Sequence, residues 1–402
     1  MDAITFLIHG LEYLLIGYFG FASIYVFIFS FSGLFTAKKR NEILQKQRKF
    51  AVLIPGYKED NVIVEVAQSA LEQSYCSELY DVVVIADSFQ KDTLNQLRQL
   101  PIRLVEVSFE KSTKSKALNQ AMKVIGDAYD VALILDADNI MEDSFIEKVN
   151  IAFNQGYKVV QGHRIAKNTN TSFAILDAIS EEVNNHIFRK GHRVLGLSSA
   201  LIGSGMAFDY YFFKNTMAHV NAVGGFDKEL ELKLLKNGTK IEYLNNALVL
   251  DEKVQKSEVF SNQRKRWLSA QFVYFGRYFV PGLKELFTKG NVDFFDKVYQ
   301  MISPPRVLLL GLSVVISFLY FVLDYLFPSI ILAVPSMFWY ANMLLIVMAF
   351  FFAIPRKFYS AKTLLAVLTL PKAFLLMFLS LFKLKGANKK FIHTQHGTVN
   401  SQ

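Results

Sequence analysis

Apolar and polar positions follow three different patterns along this chain. Residues 4–35 form one long apolar run, broken only by His9, Glu12 and small polar residues. That is more than the roughly 20 residues needed to cross a bilayer. It is too long for a signal-peptide core and has no basic stretch before it, so it predicts an uncleaved membrane helix. From residue 50 to about 250 the runs shorten to between four and six apolar residues, separated by amphipathic stretches. Short apolar runs read as buried strands, and 3.6-residue spacing reads as helix. The predicted order is strand 51–54, helix 61–73 capped by Asp60 or Asn61, strand 81–86, helix 92–100, strand 102–107, helix 115–124, strand 131–135, strand 157–162 and helix 172–188. Such alternation implies an α/β fold, a mostly parallel sheet with helices on both faces.

The last pattern is again membrane-like. Residues 272–295 are aromatic-rich with scattered charge, as an interfacial amphipathic segment is. Two spanning candidates follow at 307–327 and 330–354, then a third apolar run at 364–382, interrupted by Pro371-Lys372. If that run crossed, the basic residues between 383 and 390 would lie opposite Arg356-Lys357, against the positive-inside rule. An interfacial or re-entrant course is therefore expected. The predicted organisation is a membrane helix (1–36), a soluble domain (37–270), an interfacial segment (271–303), two membrane helices (304–355), the third apolar segment (356–384) and a basic tail (385–402).

Composition agrees. Hydrophobic residues make up 52% of the 402 positions, rich for a soluble protein. The formal charge is +9, and the cations gather beside apolar runs, as at Lys38-Lys39-Arg40. That placement suits anionic lipid headgroups and cytoplasmic loops rather than nucleic acid. The single cysteine, Cys76, allows no internal disulfide. His163, His186, His192 and His219 have no metal-ligand spacing.

The richest stretch is Val131-Ala132-Leu133-Ile134-Leu135-Asp136-Ala137-Asp138-Asn139. Its two carboxylates follow a buried strand directly, at the edge where open α/β sheets bind ligands. They suit a divalent cation on a diphosphate, since a magnesium-type ion takes one or two carboxylates plus phosphate oxygens. Taken alone, the pattern also fits a polar strand end, with Asp138 or Asp143 capping a helix that starts near Ser144. Asp87 is brought to the same edge by the second strand. There is no GxGxxG after the first strand and no GxxxxGK[ST], which argues against a dinucleotide oxidoreductase or a P-loop NTPase. Diphosphate charge would then be met by metal and by Lys114 or Lys116, at the start of a helix. Gly224-Gly225 permits a sharp turn before a helix carrying Glu229 and Glu231, which do not share a face. One of them is a candidate general base. Gln263-Arg264-Lys265-Arg266-Trp267 combines guanidinium forks for phosphate with a flat face for a sugar ring or a membrane interface.

Taken in order, Ile54-Pro55-Gly56-Tyr57-Lys58-Glu59, Asp87, Lys114-Ser115-Lys116-Ala117-Leu118-Asn119, Asp136-Ala137-Asp138 and Gln263 to Trp267 resemble the membrane-bound family 2 glycosyltransferases. That group includes cellulose, hyaluronan and poly-N-acetylglucosamine synthases. Phe391-Ile392-His393-Thr394 is similar to its post-membrane tail. The resemblance implies a GT-A-like sheet between N- and C-terminal membrane helices, and inversion at the sugar's anomeric carbon. It implies Mg2+ or Mn2+ on Asp138, aided by Asp136, and a nucleotide sugar held by Pro55, Tyr57, Glu59, Asp87 and Lys114. A UDP-linked donor is expected. Gln263, Arg264, Arg266 and Trp267 would hold the diphosphate and the acceptor, a growing glycan or a lipid-linked one. Export or assembly proteins are expected partners. The implied setting is a bacterial plasma membrane with the catalytic domain on the cytoplasmic side. Gly56 and Lys58 depart from the alanine and asparagine usual there. The acidic pair that carries the base appears as Lys228-Glu229, with Glu229 the first choice and Glu231 the alternative. That irregularity motivates the competing reading, an inactive membrane scaffold subunit.

Overall fold

The computed structural model describes residues 3–38, 41, 45–220, 222, 225–253, 257–327 and 332–381, with the backbone alone for 257–262. The basic tail, the motif at 391–394, Lys39-Arg40 and Gly224 lie outside the described residues.

A long helix, α1 (Ala3–Ser32), precedes the sheet domain. Then come β1 (Phe50–Tyr57), α2 (Ile63–Ala70), β2 (Tyr80–Asp87), α3 (Lys91–Leu97), β3 (Arg103–Val107), α4 (Lys114–Ile125) and β4 (Val131–Ile134). The second half holds β5 (Ile140–Met141), α5 (Phe145–Asn154), β6 (Val159–Ala166), α6 (Ser172–Asn184), a π-helix (Asn185–Gly191), α7 (His192–Val194), β7 (Met206–Asp209), α8 (Tyr210–Met217), α9 (Phe226–Lys236) and β8 (Glu242–Asp251). Last come α10 (Ser257–Lys289), α11 (Val292–Ile302), α12 (Arg306–Leu326), α13 (Ser336–Ala353), α14 (Ala361–Val367) and α15 (Leu370–Leu381).

The strands form one sheet in the order β3-β2-β1-β4-β7-β6-β8-β5. β3, β2, β1 and β4 are parallel, β7 runs against both β4 and β6, and β5 runs against β8. The sheet is therefore mostly parallel, with two reversed strands. The central strands β1, β2 and β4 are largely apolar because both faces are covered, whereas the edge strand β3 carries exposed Arg103 and Glu106. Ala51 and Leu53 of β1 face the helices α4, α8, α9, α10 and α11. Phe50, Val52 and Ile54 face α2 and α5. The larger of these side chains (Leu53, Phe50, Val52 and Ile54) contribute about 1.5–3 kcal/mol each on burial, so alternate residues of one strand anchor opposite layers.

A third cluster joins α1 (Phe19, Val26, Phe29), α6 (Ile175, Ile179), the π-helix (Ile187) and α13 (Trp339, Ile346). Contact there is tight: a Cβ at Gly191 would lie 2.0 Å from the Phe29 carbonyl oxygen. Among the described residues, four helical stretches are long and apolar enough to cross a membrane: Ala3–Ser32, Arg306–Leu326, Ser336–Ala353 and Ala361–Leu381. The last of them, α14 with α15, is the segment expected to be interfacial or re-entrant, and its length and composition also suit a full crossing.

Several local expectations are revised. Neither Asp60 nor Asn61 caps α2, because the Asp60 carboxylate accepts from the Gln90 amide (2.8 Å) and ties two loops together. Neither Asp138 nor Asp143 caps α5; the N-cap position is Ser144, without a side-chain bond. The helix expected at 172–188 is α6 running into the π-helix. The segment expected at 271–303 does not begin as a separate element. α10 runs unbroken from the 263–267 cluster, through Pro281, to Lys289.

Candidate active site

β1 and β2 end in register, with Tyr57 opposite Asp87. The two residues that follow them, Lys58 (φ 56°) and Ser88 (φ 61°), both adopt left-handed backbone without being glycine. Such positions cost about 1–3 kcal/mol each and cluster at ligand sites. Here they turn both chains at one place, where the Lys58 amide donates to the Asp87 carbonyl (3.1 Å). Asp87 is buried, and Ser88 Oγ donates to its carboxylate (2.9 Å). Gly56 leaves room for a neighbour, since a Cβ there would meet the tip of the Phe89 ring at 2.6 Å and displace it. Pro55 lies within β1 beside Ile85, and the Glu59 carbonyl starts α2 by accepting from Val62 and Ile63.

β4 stops at Ile134, and the chain turns through Asp136 to Asn139, closed by the Asn139 amide on the Asp136 carbonyl (3.1 Å). The Asp136 amide donates to Ser204 Oγ (2.9 Å), in the glycine-rich segment before β7. The Asp136 carboxylate is ion-paired with Lys114 Nζ, which also donates to the Gly203 carbonyl (2.7 Å). Lys114 opens α4, whose N-cap Thr113 accepts from the Lys116 amide. Lys114 Nζ also stands 5.2 Å from the centre of the Phe226 ring. Asp138 is 8% exposed, and Asn139 Nδ2 donates to its Oδ1 (3.1 Å).

The first turn of α9 reaches the same place. Gly203 (φ 85°) neighbours Asp227: a Cβ there would lie in ordinary contact with that side chain, 3.9 Å from Oδ2. Asp227 is partly exposed and shares the neighbourhood of Gly203 with Lys114 and Asp136. Reading the sequence for a base passed over it. The signal was present: Asp227 is the first acid after the paired glycines, so it stands at a helix end rather than inside one.

Glu229 and Glu231 are placed differently. Glu229 is 2% exposed, paired with Lys233 (3.3 Å) and with Arg277 of α10 (3.4 Å). Glu231 is 1% exposed, paired with Lys297 of α11 (2.6 Å) and near Lys228 (3.7 Å). Burial pulls the Lys297 ammonium down to about 8, and Glu231 works against that shift. Both glutamates serve the packing of α9 on α10 and α11. A general base must reach a substrate proton, and in this structure both glutamates are buried and held by cations.

Of the 263–267 cluster, Arg264 donates to Asp177 of α6 (2.8 Å) and lies 4.5 Å over the Trp267 ring. Burial lowers the Arg264 guanidinium below its ordinary value, and Asp177 and Glu181 oppose that. Burial lowers Arg266 as well. Gln263 is half-buried, and Trp267 keeps 43% of its surface exposed.

Asp136 and Asp138 offer hard oxygen donors. Among the described residues no three His, Cys, Asp or Glu side chains form a group that could hold an ion. A magnesium- or manganese-type ion that draws its remaining ligands from a diphosphate and water fits that donor set.

A family model described as Glycosyltransferase like family 2 matches residues 47–270. No curated protein matches the chain. Among solved structures, the mannosyltransferase PcManGT from Pyrobaculum calidifontis, in complex with GDP-Man and Mn2+, is similar over 85% of this chain and 97% of its own, at 13% identity and a TM-score of 0.50. S. aureus TarS matches over 54% of this chain and 38% of its own, at 17% identity and a TM-score of 0.36. Glucosyl-3-phosphoglycerate synthase from Mycobacterium tuberculosis, in complex with Mn2+, UDP and phosphoglyceric acid, matches over 54% and 74%, at 15% identity and a TM-score of 0.39. The first of these shares the GT-A-like fold over nearly its whole length. With the family match spanning more than half of its residues, the chain belongs to the glycosyltransferase-like family 2.

Proposed function

We propose that this chain is a metal-dependent, inverting glycosyltransferase that moves a sugar from a nucleotide sugar to an acceptor presented at a membrane. The observation that carries this reading is the meeting of Asp136, Lys114, Gly203 and Asp227 beyond the end of β4. Asp87 and Tyr57, at the paired ends of β1 and β2, bind the nucleoside. Asp138 and Asp136 hold Mg2+ or Mn2+, which when bound neutralises charge on the departing diphosphate. Lys114 and Arg266 add fixed positive charge to the same leaving group. Asp227 accepts the proton of the acceptor hydroxyl as its oxygen bonds to the anomeric carbon and the bond to the diphosphate breaks. A single displacement of this kind inverts the anomeric configuration. Trp267 offers its exposed face to the acceptor sugar.

Asp227 takes the role first given to Glu229. It also supplies the acid whose apparent absence motivated the scaffold reading. The four apolar helices support a membrane setting, with residues 37–270 as the catalytic domain and the acceptor a growing glycan or a lipid-linked sugar. The test is release of nucleoside diphosphate by detergent-purified protein, over a panel of UDP- and GDP-sugars with Mn2+ or Mg2+. Metal-dependent release from one donor, lost in Asp227→Asn and retained in Glu229→Gln, is the expected result. Absence of both release and nucleotide binding would overturn the proposal and leave the scaffold.

A further inference from the structure

Asn139 is a buried polar residue that the proposed reaction does not use. It is 0% exposed, and every polar group of its side chain is engaged. Its Oδ1 accepts from Ser204 Oγ (2.6 Å). Its Nδ2 donates to Asp138 Oδ1 (3.1 Å) and to Asp251 Oδ1 (3.0 Å). An amide nitrogen carries two hydrogens, so each carboxylate receives one. The orientation is forced, because turning the amide over would aim its oxygen at two carboxylates. Asp251 in turn is anchored. It ends β8, its carboxylate is paired with Lys253 (2.5 Å) and Arg164 (3.4 Å), and its carbonyl accepts from the Lys167 amide (2.8 Å). The β5–β8 ladder aligns Ile140 with Leu250, which carries Asn139 to Asp251 by register.

We infer that Asn139 is the positioning residue that fixes the Asp138 carboxylate for a divalent cation on a nucleoside diphosphate, transmitting the rigidity of Asp251 and β8 to the turn after β4. This rests on the proposed role of Asp138. The amide also separates two carboxylates that would otherwise face each other. Partners of this kind set the orientation of metal-binding side chains, and losing one typically weakens metal affinity about 10–100-fold. Ser204 belongs to the same device, because its hydroxyl joins Asn139 Oδ1 to the Asp136 amide.

The test is Mn2+ binding in the presence of UDP or GDP, read from the paramagnetic resonance signal of free Mn2+. The variants are Asn139→Asp, which keeps the shape but loses both donors, and Ser204→Ala, which removes only the hydroxyl. Asn139→Asp is expected to weaken Mn2+ binding about 10–100-fold and to raise the half-saturating Mn2+ for turnover in parallel. Its kcat at saturating Mn2+ should fall less, and nucleotide binding without metal should not change. Ser204→Ala should move the same way by a smaller factor. Unchanged Mn2+ affinity in Asn139→Asp, or a loss of folded protein with the affinity of the survivors intact, overturns the inference. Should Asn139→Asp fail to fold, unchanged affinity in Ser204→Ala overturns it instead. A wild-type protein that binds no Mn2+ with either nucleotide would sink the proposed function itself, a result distinct from any variant's.

Discussion

Asp227 and the glutamates two and four residues after it belong to one helix and face different surroundings. Asp227 stands in the first turn of α9, beside Gly203 and near the turn after β4. Glu229, in the same turn, and Glu231, one turn on, are buried against α10 and α11 with cations from both. A partly exposed carboxylate remains available for exchange of protons and ligands. A buried one is bound to fixed partners, and removing a partner from a buried pair costs stability rather than chemistry. Burial and fixed cation partners, rather than the identity of the acid or its turn of the helix, distinguish the two glutamates from Asp227 here.

The sharpest way to break that contrast is at the strand end. Asp138→Asn should abolish turnover on every nucleotide sugar, a loss of at least about 10³-fold if the metal carries most of the electrostatic stabilisation. Melting temperature without metal should stay near the wild-type value. Full activity in this variant would remove Asp138 from the site. Asp227→Asn comes next. Loss of a positioned general base costs about 10²–10⁴-fold, and it should appear in kcat with little change in nucleotide binding. A variant within a few fold of wild type would return the search for a base to the glutamates.

The interior acids should respond in the opposite sense. Glu231→Gln strands Lys297, which is 3% exposed, and should destabilise the fold by about 3–5 kcal/mol. Activity per folded molecule should be retained. Glu229→Gln strands Lys233 and Arg277, both of which reach solvent, so a loss of about 1 kcal/mol or less is expected. Chemical unfolding of both variants, with active-site counting, checks the pair. Equal losses would show that burial of the partner cation is not what distinguishes them.

The same contrast explains what could be read from the sequence. The parallel half of the sheet was legible, because each strand is an apolar run ending in a polar turn, and Asp87, Asp136 and Asp138 follow from those endings. β5 has two residues, too few to show a period, and β7 carries no local mark of its reversed direction. The left-handed Lys58 and Ser88 are not glycines, so nothing in the residue types announced them. The fate of Glu231 depends on Lys297, far along the chain, and no local pattern contains that pairing. The continuity of α10 was hidden because its first turns are polar and its later ones aromatic, which read as two segments.

The smallest expected effect lies where the loop between α13 and α14 meets α6, and it tests whether buried acids matter equally. Glu182 is buried, and Lys357, between α13 and α14, reaches its Oε1 at 2.6 Å while His163 Nε2 lies 2.9 Å from Oε2. Burial raises the Glu182 carboxyl, but the His163 hydrogen bond and the Lys357 charge outweigh it and hold the group at about 2. Its ordinary value is 4.5, so the unfolded chain takes up a proton while the folded one does not. The resulting stability is complete above about pH 4.5 and is lost as pH falls towards about 2. Lys357 is more than half exposed, so water replaces much of what it supplies. Lys357→Met should therefore cost about 1 kcal/mol or less at neutral pH. The difference from wild type should shrink as pH drops below about 4.5, as denaturant midpoints across that range would reveal. A loss as large as that of Glu231→Gln would mean that this loop is clamped to the sheet domain as firmly as α11 is to α9, and the contrast between exposed and buried partners would fail at its weakest point.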